Sequence, residues 1–207
     1  MSIVNGYATL TEVKAAARIP TGDTLDDDLL EVSIEAASRE IDSYCERVFY
    51  QTGSAGTPVA RVYIPEDLFV VQTDDIISVT TLKTDSNGDG TFDQTWASSD
   101  YQLEPLNGKL AGQAWAYTRI RAAENYLFPV ENGLALVKVT GVWGWPAVPQ
   151  AIEYATIMQS QRLFKRLDSP TGILGFGDMG AVRVTRQLDP DVAEMVNPFR
   201  RDGFGIG

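Results

Sequence analysis

The sequence predicts an α+β fold: a helical core, an antiparallel β module inserted into it, and an extended arm at the C-terminal end. Three observations predict this. Apolar residues recur every three or four positions over residues 9–48 and again over 149–167, the spacing of helices with one buried face. Between them, residues 51–145 break into short β-branched and aromatic segments separated by Gly, Pro, Asn and Asp. Past residue 169, glycines dominate. The expected organisation is therefore 1–50 as the N-terminal helical part of the core, 51–145 as the β module, 146–169 as a third core helix, and 170–207 as a glycine-linked arm with a short helix.

The first helix starts at Thr9-Leu10-Thr11-Glu12, a capping box in which Thr9 accepts from the Glu12 N–H while Glu12 reaches back. Leu10, Val13 and Ala17 follow at helical spacing until Ile19-Pro20 stops the run. After the Thr21-Gly22 turn, Asp23 or Thr24 is expected to cap a long second helix. Asp26, Asp27 and Asp28 fall in its first turn, where the helix dipole favours negative charge. Leu25, Leu29, Leu30, Ile34, Ala37, Ile41, Tyr44, Cys45 and Val48 are expected to form its apolar face. Cys45 reads as a buried thiol, with no histidine available to activate it.

Seven strand-like segments follow, at 59–64, 69–72, 77–83, 92–96, 101–104, 118–122 and 134–142. Short strands at this spacing suggest a small antiparallel sandwich or barrel. Helix resumes after Trp143-Gly144-Trp145-Pro146, with Pro149 in its first turn and Ile152, Ala155, Met158, Leu163, Phe164 and Leu167 as its stripe. Ser169-Pro170 ends it. The arm carries Gly172, Gly175, Gly177 and Gly180, a strand-like run from Ala181 to Arg186, and a short helix capped by Asp189 with Pro190 behind it. That last helix is too thin to bury itself, so it needs a surface on its own chain or on another.

Composition narrows the function. The 207 residues carry 17 Lys plus Arg against 28 Asp plus Glu, a formal net charge of −11, so a broad phosphate-gripping face is not expected. Residues 1–50 hold 4 basic and 10 acidic side chains, whereas 151–207 balance at 7 and 7. There is no His, which removes His-based triads and His-containing zinc sites. One Cys permits neither an intrachain disulfide nor a CxxC knuckle. Nothing approaches the run of about 18 apolar residues that spans a membrane, and residues 1–20 lack the pattern of a signal peptide. No P-loop or G-x-S-x-G is present, and the expectation is a protein that is not an enzyme.

Four features carry competing readings. Asp85, Asn87, Asp89 and Asp93 place oxygen ligands at positions 1, 3, 5 and 9 of a calcium loop, with Gly90 at its turn position. Trp96 stands where the bidentate Glu belongs, and the flanks look like strands. The other reading is a hairpin whose Asn-Gly and Asp-Gly pairs supply positive φ. Gly175 to Gly180 spells G-x-G-x-x-G, but a helix end precedes it and a strand follows, the reverse of a dinucleotide site. Tyr126, Phe128, Trp143 and Trp145 form either a binding platform for sugars or bases, or the packing of the β module. Arg162, Lys165, Arg166, Arg183, Arg186, Arg200 and Arg201 are the basic concentration, either a solvated face or a surface that meets the acidic 1–50 region of an identical neighbour.

The pattern resembles the head-to-tail connector (adaptor, or head-completion) proteins of long-tailed bacteriophages. The resemblance is carried by Tyr7 to Lys14, Asp26 to Leu30, Ile34 to Ile41, Val139 to Pro149 with Ala151-Ile152, and Leu188 to Arg201. Short members of that family are mainly helical, and the β insertion is similar to longer variants among phages of actinobacteria. The resemblance implies a structural virion protein forming a ring, usually a dodecamer. That ring sits under the portal vertex, joins it to the next neck or tail protein, and lets DNA pass without tight binding. It implies a portal-docking role for Leu188, Val192, Met195, Val196, Phe199, Arg200 and Arg201. It also implies a location in the virion neck, reached through the host cytoplasm; no cofactor is expected apart from the calcium candidate that the 85–93 loop itself offers. A stopper, a tail terminator, or a β-rich carbohydrate- or calcium-binding module are the alternatives.

Overall fold

The computed structural model describes the chain apart from residues 1–2, 54–55, 109, 111–112, 124, 132, 168–172, 175–181, 184–187 and 202–207. The G-x-G-x-x-G run, Arg186 and most of the glycine link lie outside the described residues. The chain divides into two compact units, one made of residues 1–48 with 148–207 and the other of 49–147.

The first unit is helical. Helix α1 (Leu10–Ala17) opens on the expected capping box, with the Thr9 side chain accepting from Glu12 N and the Glu12 carboxylate accepting from Thr9 N at 2.7 Å. It closes at Arg18 in the left-handed conformation, φ 60°, ahead of Pro20. Helix α2 (Asp27–Cys45) starts two or three residues later than Thr24 or Asp23 would set it, with Asp26 at the cap. The delay has a local cause. The Asp23 carboxylate accepts from Leu25 N at 3.3 Å, and Asp27 N donates to Thr24 O, so residues 23–27 form turns.

Lys14, on α1, is buried and holds these turns together. Its ammonium donates to Asp27 Oδ1 at 2.6 Å and to the carbonyls of Thr21 and Asp23. Helix α3 (Gln150–Leu167) follows Pro149, whose carbonyl accepts from Ile152 N and Glu153 N. Val13, Leu30, Ile34 and Ala8 are buried together, with Ile157 and Phe164 of α3 packed against them.

The second unit is one six-stranded antiparallel sheet. Its strands are β1 (Val59–Tyr63), β2 (Val70–Thr84), β3 (Gln94–Trp96), β4 (Tyr101–Glu104), β5 (Tyr117–Ala122) and β6 (Val137–Trp143), in the order β1-β6-β2-β5-β4 with β3 added to β2. The sheet is open, neither closed into a barrel nor doubled into a sandwich. The α+β class stands, and the shape of the β part is corrected.

The segments 69–72 and 77–83 are one bent strand. β2 pairs with β5 through Gln72↔Arg119 and with β6 from Ile76↔Trp143 onward, and the register shifts between Gln72 and Ile76. A second shift, between Val79 and Thr81, brings β6 unusually close at Gly141. A Cβ there would strike the Ser78 carbonyl. Gly144 is likewise required, at φ +100° and against the Tyr50 carbonyl. Val71, Ile76, Leu82, Trp96, Ile120, Phe128, Val137, Val139 and Trp143 make the buried core of this unit.

Beyond α3, β7 (Ile173–Leu174) pairs antiparallel with β8 (Val182–Arg183). Helix α4 (Pro190–Val196) and a 3₁₀ turn (Asn197–Phe199) follow. Among the described residues no helix is long and apolar enough to cross a membrane.

Candidate functional site

The C-terminal segment is the expected docking region, and the structure divides its residues between buried and more exposed positions. Asp189 caps α4, accepting from Asp191 N at 3.1 Å, and Pro190 occupies the first helical position. Val192, Val196 and Phe199 then face inward and are buried in the helical unit. The Cys45 thiol donates to the Val196 carbonyl, and Arg201 N donates to the Cys45 carbonyl at 2.9 Å. Arg162 of α3 pairs with Asp189 at 3.0 Å. The thin helix therefore finds its surface on its own chain. Of the seven residues expected to dock, these three serve the core. Leu188, Met195 and Arg201 are half-buried and Arg200 is exposed. Arg200 lies over the Tyr44 ring at 5.2 Å and 3.8 Å from Glu46.

At the front of the same unit, residues 4–7 are fastened to α2. Tyr7 N donates to Ser38 Oγ at 3.1 Å, the Tyr7 hydroxyl donates to Asp42, and Arg39 reaches the Asn5 carbonyl at 2.9 Å and Asp42 Oδ2 at 2.8 Å. Burial raises the Asp42 carboxyl above the usual Asp range, while the Tyr7 and Arg39 bonds oppose that. On the surface, Glu12 and Glu153 form a pair that sequence spacing did not reveal. The Thr9 hydroxyl and N–H hold Glu12 low, and burial and the Glu12 charge push Glu153 up.

The 85–93 loop is the connection between β2 and β3. The Asp85 carboxylate is buried and accepts from three backbone N–H groups: Gly88 at 2.8 Å, Gly90 at 2.7 Å and Asn87 at 3.3 Å. Asp89 accepts from Thr91 N and from the Asn87 amide, which holds it low. Asp85 thus spends its oxygens nucleating the turn. Gly88 and Gly90 take positive φ, +71° and +87°, as a hairpin of this kind needs. Among the described residues no group of three or more His, Cys, Asp or Glu side chains converges on one point.

The aromatic platform is absent as a surface. Trp143, Trp145 and Phe128 are buried. Phe128 stacks on Trp96 at 4.6 Å, and Trp145 lies 5.1 Å from Phe49 and 4.9 Å from Trp115. The Trp145 N–H donates to the buried Asp75 carboxylate at 2.9 Å and the Trp143 N–H to the Val59 carbonyl at 2.8 Å. No indole face is left to stack on a sugar. Cys45 is likewise fully buried, and burial pushes its thiol up to about 12. It is not a nucleophile.

Periodicity misassigned one feature. Leu25 and Leu29 were expected on the core face of α2, yet Leu25 is 87% exposed and Leu29 47%. Together with Val32 and Ala36 they form a second apolar stripe, on the side of α2 opposite Leu30, Ile34, Ala37 and Ile41. Spacings of three and four residues are shared by both stripes, so only burial tells them apart.

Residues 7–95, which hold α1, α2 and the first strands, match the family described as Phage gp6-like head-tail connector protein. Among curated proteins no sequence matches significantly. Three solved structures share the fold over the whole chain, each covering 100% of this chain and 96% of the other. One is from the neck of an empty gene transfer agent particle solved with C6 symmetry, at TM-score 0.57 and 16% identity. The second is from the virion of a native gene transfer agent particle, at 0.54 and 16%. The third is from the neck of a native particle with C12 symmetry, at 0.53 and 14%. At such identities the likeness is one of fold. The expected resemblance to head-to-tail connector proteins is thus met by a family match over residues 7–95, and across the whole chain by a likeness of fold to neck and virion chains.

Proposed function

We propose that this chain builds a ring in the neck of a phage-like particle, twelve copies deep around the axis, beneath the portal vertex. There it joins the capsid to the next neck or tail protein. The observation that carries the reading is the connector match over residues 7–95 on a chain whose whole fold is that of chains from symmetric necks. Mechanism follows from assembly rather than chemistry.

The charge fits passage of DNA. Twelve copies at −11 each carry about −130 formal charges, and phosphate binding needs cations. A bore lined by part of that acid surface repels the duplex, so DNA slides through without sticking. Portal docking then falls to the outward residues of the C-terminal segment, Leu188, Met195, Arg200 and Arg201, while Val192, Val196 and Phe199 hold that segment in shape. The protein reaches the neck from the host cytoplasm during assembly.

A neighbouring neck role, stopper or tail terminator, is separated from this one by the partner it binds. Electron microscopy of the protein mixed with purified portal rings makes the separation. A second ring stacked coaxially on the portal is the expected image. Portal rings that stay bare, while the protein caps tail tubes instead, would replace the adaptor reading with the tail-side one.

A further inference from the structure

We infer that the outer face of the sheet, at Lys83 and Lys138, receives carboxylates from another protein chain, and that this chain is a second copy seated by its turn at 23–28. This rests on the ring reading above and names the surfaces that close it.

Strand register builds the site. Leu82 and Thr84 on β2 and Val137 and Val139 on β6 are buried, so Lys83 and Lys138 between them face outward. The two lysines stand directly opposite each other, and their row continues to Thr95 on β3 and to Val62 on β1. Val62 is 53% exposed, and Ile64 just past it 56%. Like charges opposite each other across two strands destabilise a sheet. The arginines of this sheet avoid that arrangement. Arg61 pairs with Asp74 and Arg121 with Glu104, both at 2.6 Å, and Arg119 stands opposite Glu104. Lys138 lies 5.5 Å from the Phe92 ring, and among the described residues neither lysine has a carboxylate within ion-pair range.

Charge and size select the occupant. Residues 23–31 carry Asp23, Asp26, Asp27, Asp28 and Glu31 with no Lys or Arg, and Leu25 among them is 87% exposed. Leu25 and Asp28, one turn apart, are separated by about 5–6 Å. The row from Val62 through Lys138 to Lys83 spans two strand spacings, about 10 Å, and the long lysine stems take up the difference. Leu25 covers Val62 while Asp26 and Asp28 meet Lys138 and Lys83. Nucleic acid fits less well, because this lysine pair is flanked by valine and isoleucine on a chain of net charge −11. The acidic turn and the lysine pair are different patches of one chain. The contact is therefore heterologous, and its repetition runs head to tail around a ring.

Charge reversal in the full chain tests this, read by native mass spectrometry and light scattering at high protein concentration. Lys83→Glu with Lys138→Glu, and Asp26→Lys with Asp28→Lys, should each weaken self-association roughly tenfold or more. An equal mixture of the two variants should assemble again, because alternating copies set opposite charges at every contact. Lys83→Glu alone should raise the melting temperature of the monomer by ending the lysine–lysine opposition, yet weaken assembly, a split that loss of fold does not produce. Reversed variants that assemble like the unaltered chain would overturn this contact and leave the ring standing. Weakened assembly that the mixture fails to restore would overturn the second copy as occupant. Duplex DNA binding by the unaltered chain that the Lys83→Glu, Lys138→Glu variant loses, with self-association intact, would replace it with nucleic acid. An unaltered chain that stays monomeric at every concentration would overturn both the contact and the ring.

Discussion

The thiol of Cys45, at the end of α2, donates to the carbonyl of Val196, 3.7 Å away at the end of α4, which ties two stretches of the chain 151 positions apart. Around that bond Val192, Val196 and Phe199 are buried, and Arg201 N returns to the Cys45 carbonyl. The C-terminal segment is thus part of the helical unit's core. Its three inward side chains contribute about 1.5–3 kcal/mol each, comparable together to the whole stability of a small domain. Removal of residues 188–207 is expected to abolish the cooperative melt of the helical unit. It should also turn Cys45 from inert to reactive toward a maleimide at neutral pH. A truncated chain that melts like the full one and still hides its thiol would contradict this.

The same thiol gives stability a pH dependence of definite sign. Burial pushes Cys45 from about 9 up to about 12. The unfolded chain therefore releases this proton first, and the contribution is complete below about pH 9 and lost as pH rises toward 12. Burial raises Tyr63 and Tyr101 as well, so they add a decline that starts near pH 10. Urea unfolding between pH 8 and 10.5 should show falling stability, with a shallower fall for Cys45→Ala over the lower part of that range. Identical slopes for the two proteins would count against a buried neutral thiol.

Lys14 is the second place where a single change should be felt. Its buried ammonium serves Asp27 and the carbonyls of Thr21 and Asp23, which together set where α2 begins. Lys14→Met keeps the stem and removes the donors. A loss of roughly 1–3 kcal/mol in urea unfolding is expected, because these acceptors lose a charged partner. A neutral result would show that water replaces the ammonium without penalty.

These residues also show what the sequence made legible. The Thr9–Glu12 capping box, the Asp189-Pro190 start and the strand at 101–104 stand where local chemistry put them, because each is decided by neighbours in sequence. The start of α2 slipped because Asp23 chose a turn, a choice secured by Lys14 from another helix. β2 read as two strands because a register shift at residues 73–75 breaks the alternation that periodicity relies on. The open sheet, the burial of Trp143 and Trp145, and the outward turn of Leu25 and Leu29 depend on long-range packing, which one sequence does not encode locally.

The loop at 85–93 supplies a test that separates turn from metal site. Asp85 already accepts from Asn87, Gly88 and Gly90. Asp85→Ala should cost about 1–3 kcal/mol by stranding those donors, with or without calcium. Millimolar calcium should leave the melting temperature of the unaltered protein where it was. A calcium-dependent rise that disappears in Asp85→Ala would restore the ion-binding reading.

The most direct measurement is a cryo-electron-microscopy reconstruction of the neck in particles that contain this chain. The account predicts a ring of its copies in contact with the underside of the portal. Density for the chain on the capsid shell or at the tail tip, with none at the neck, would contradict it.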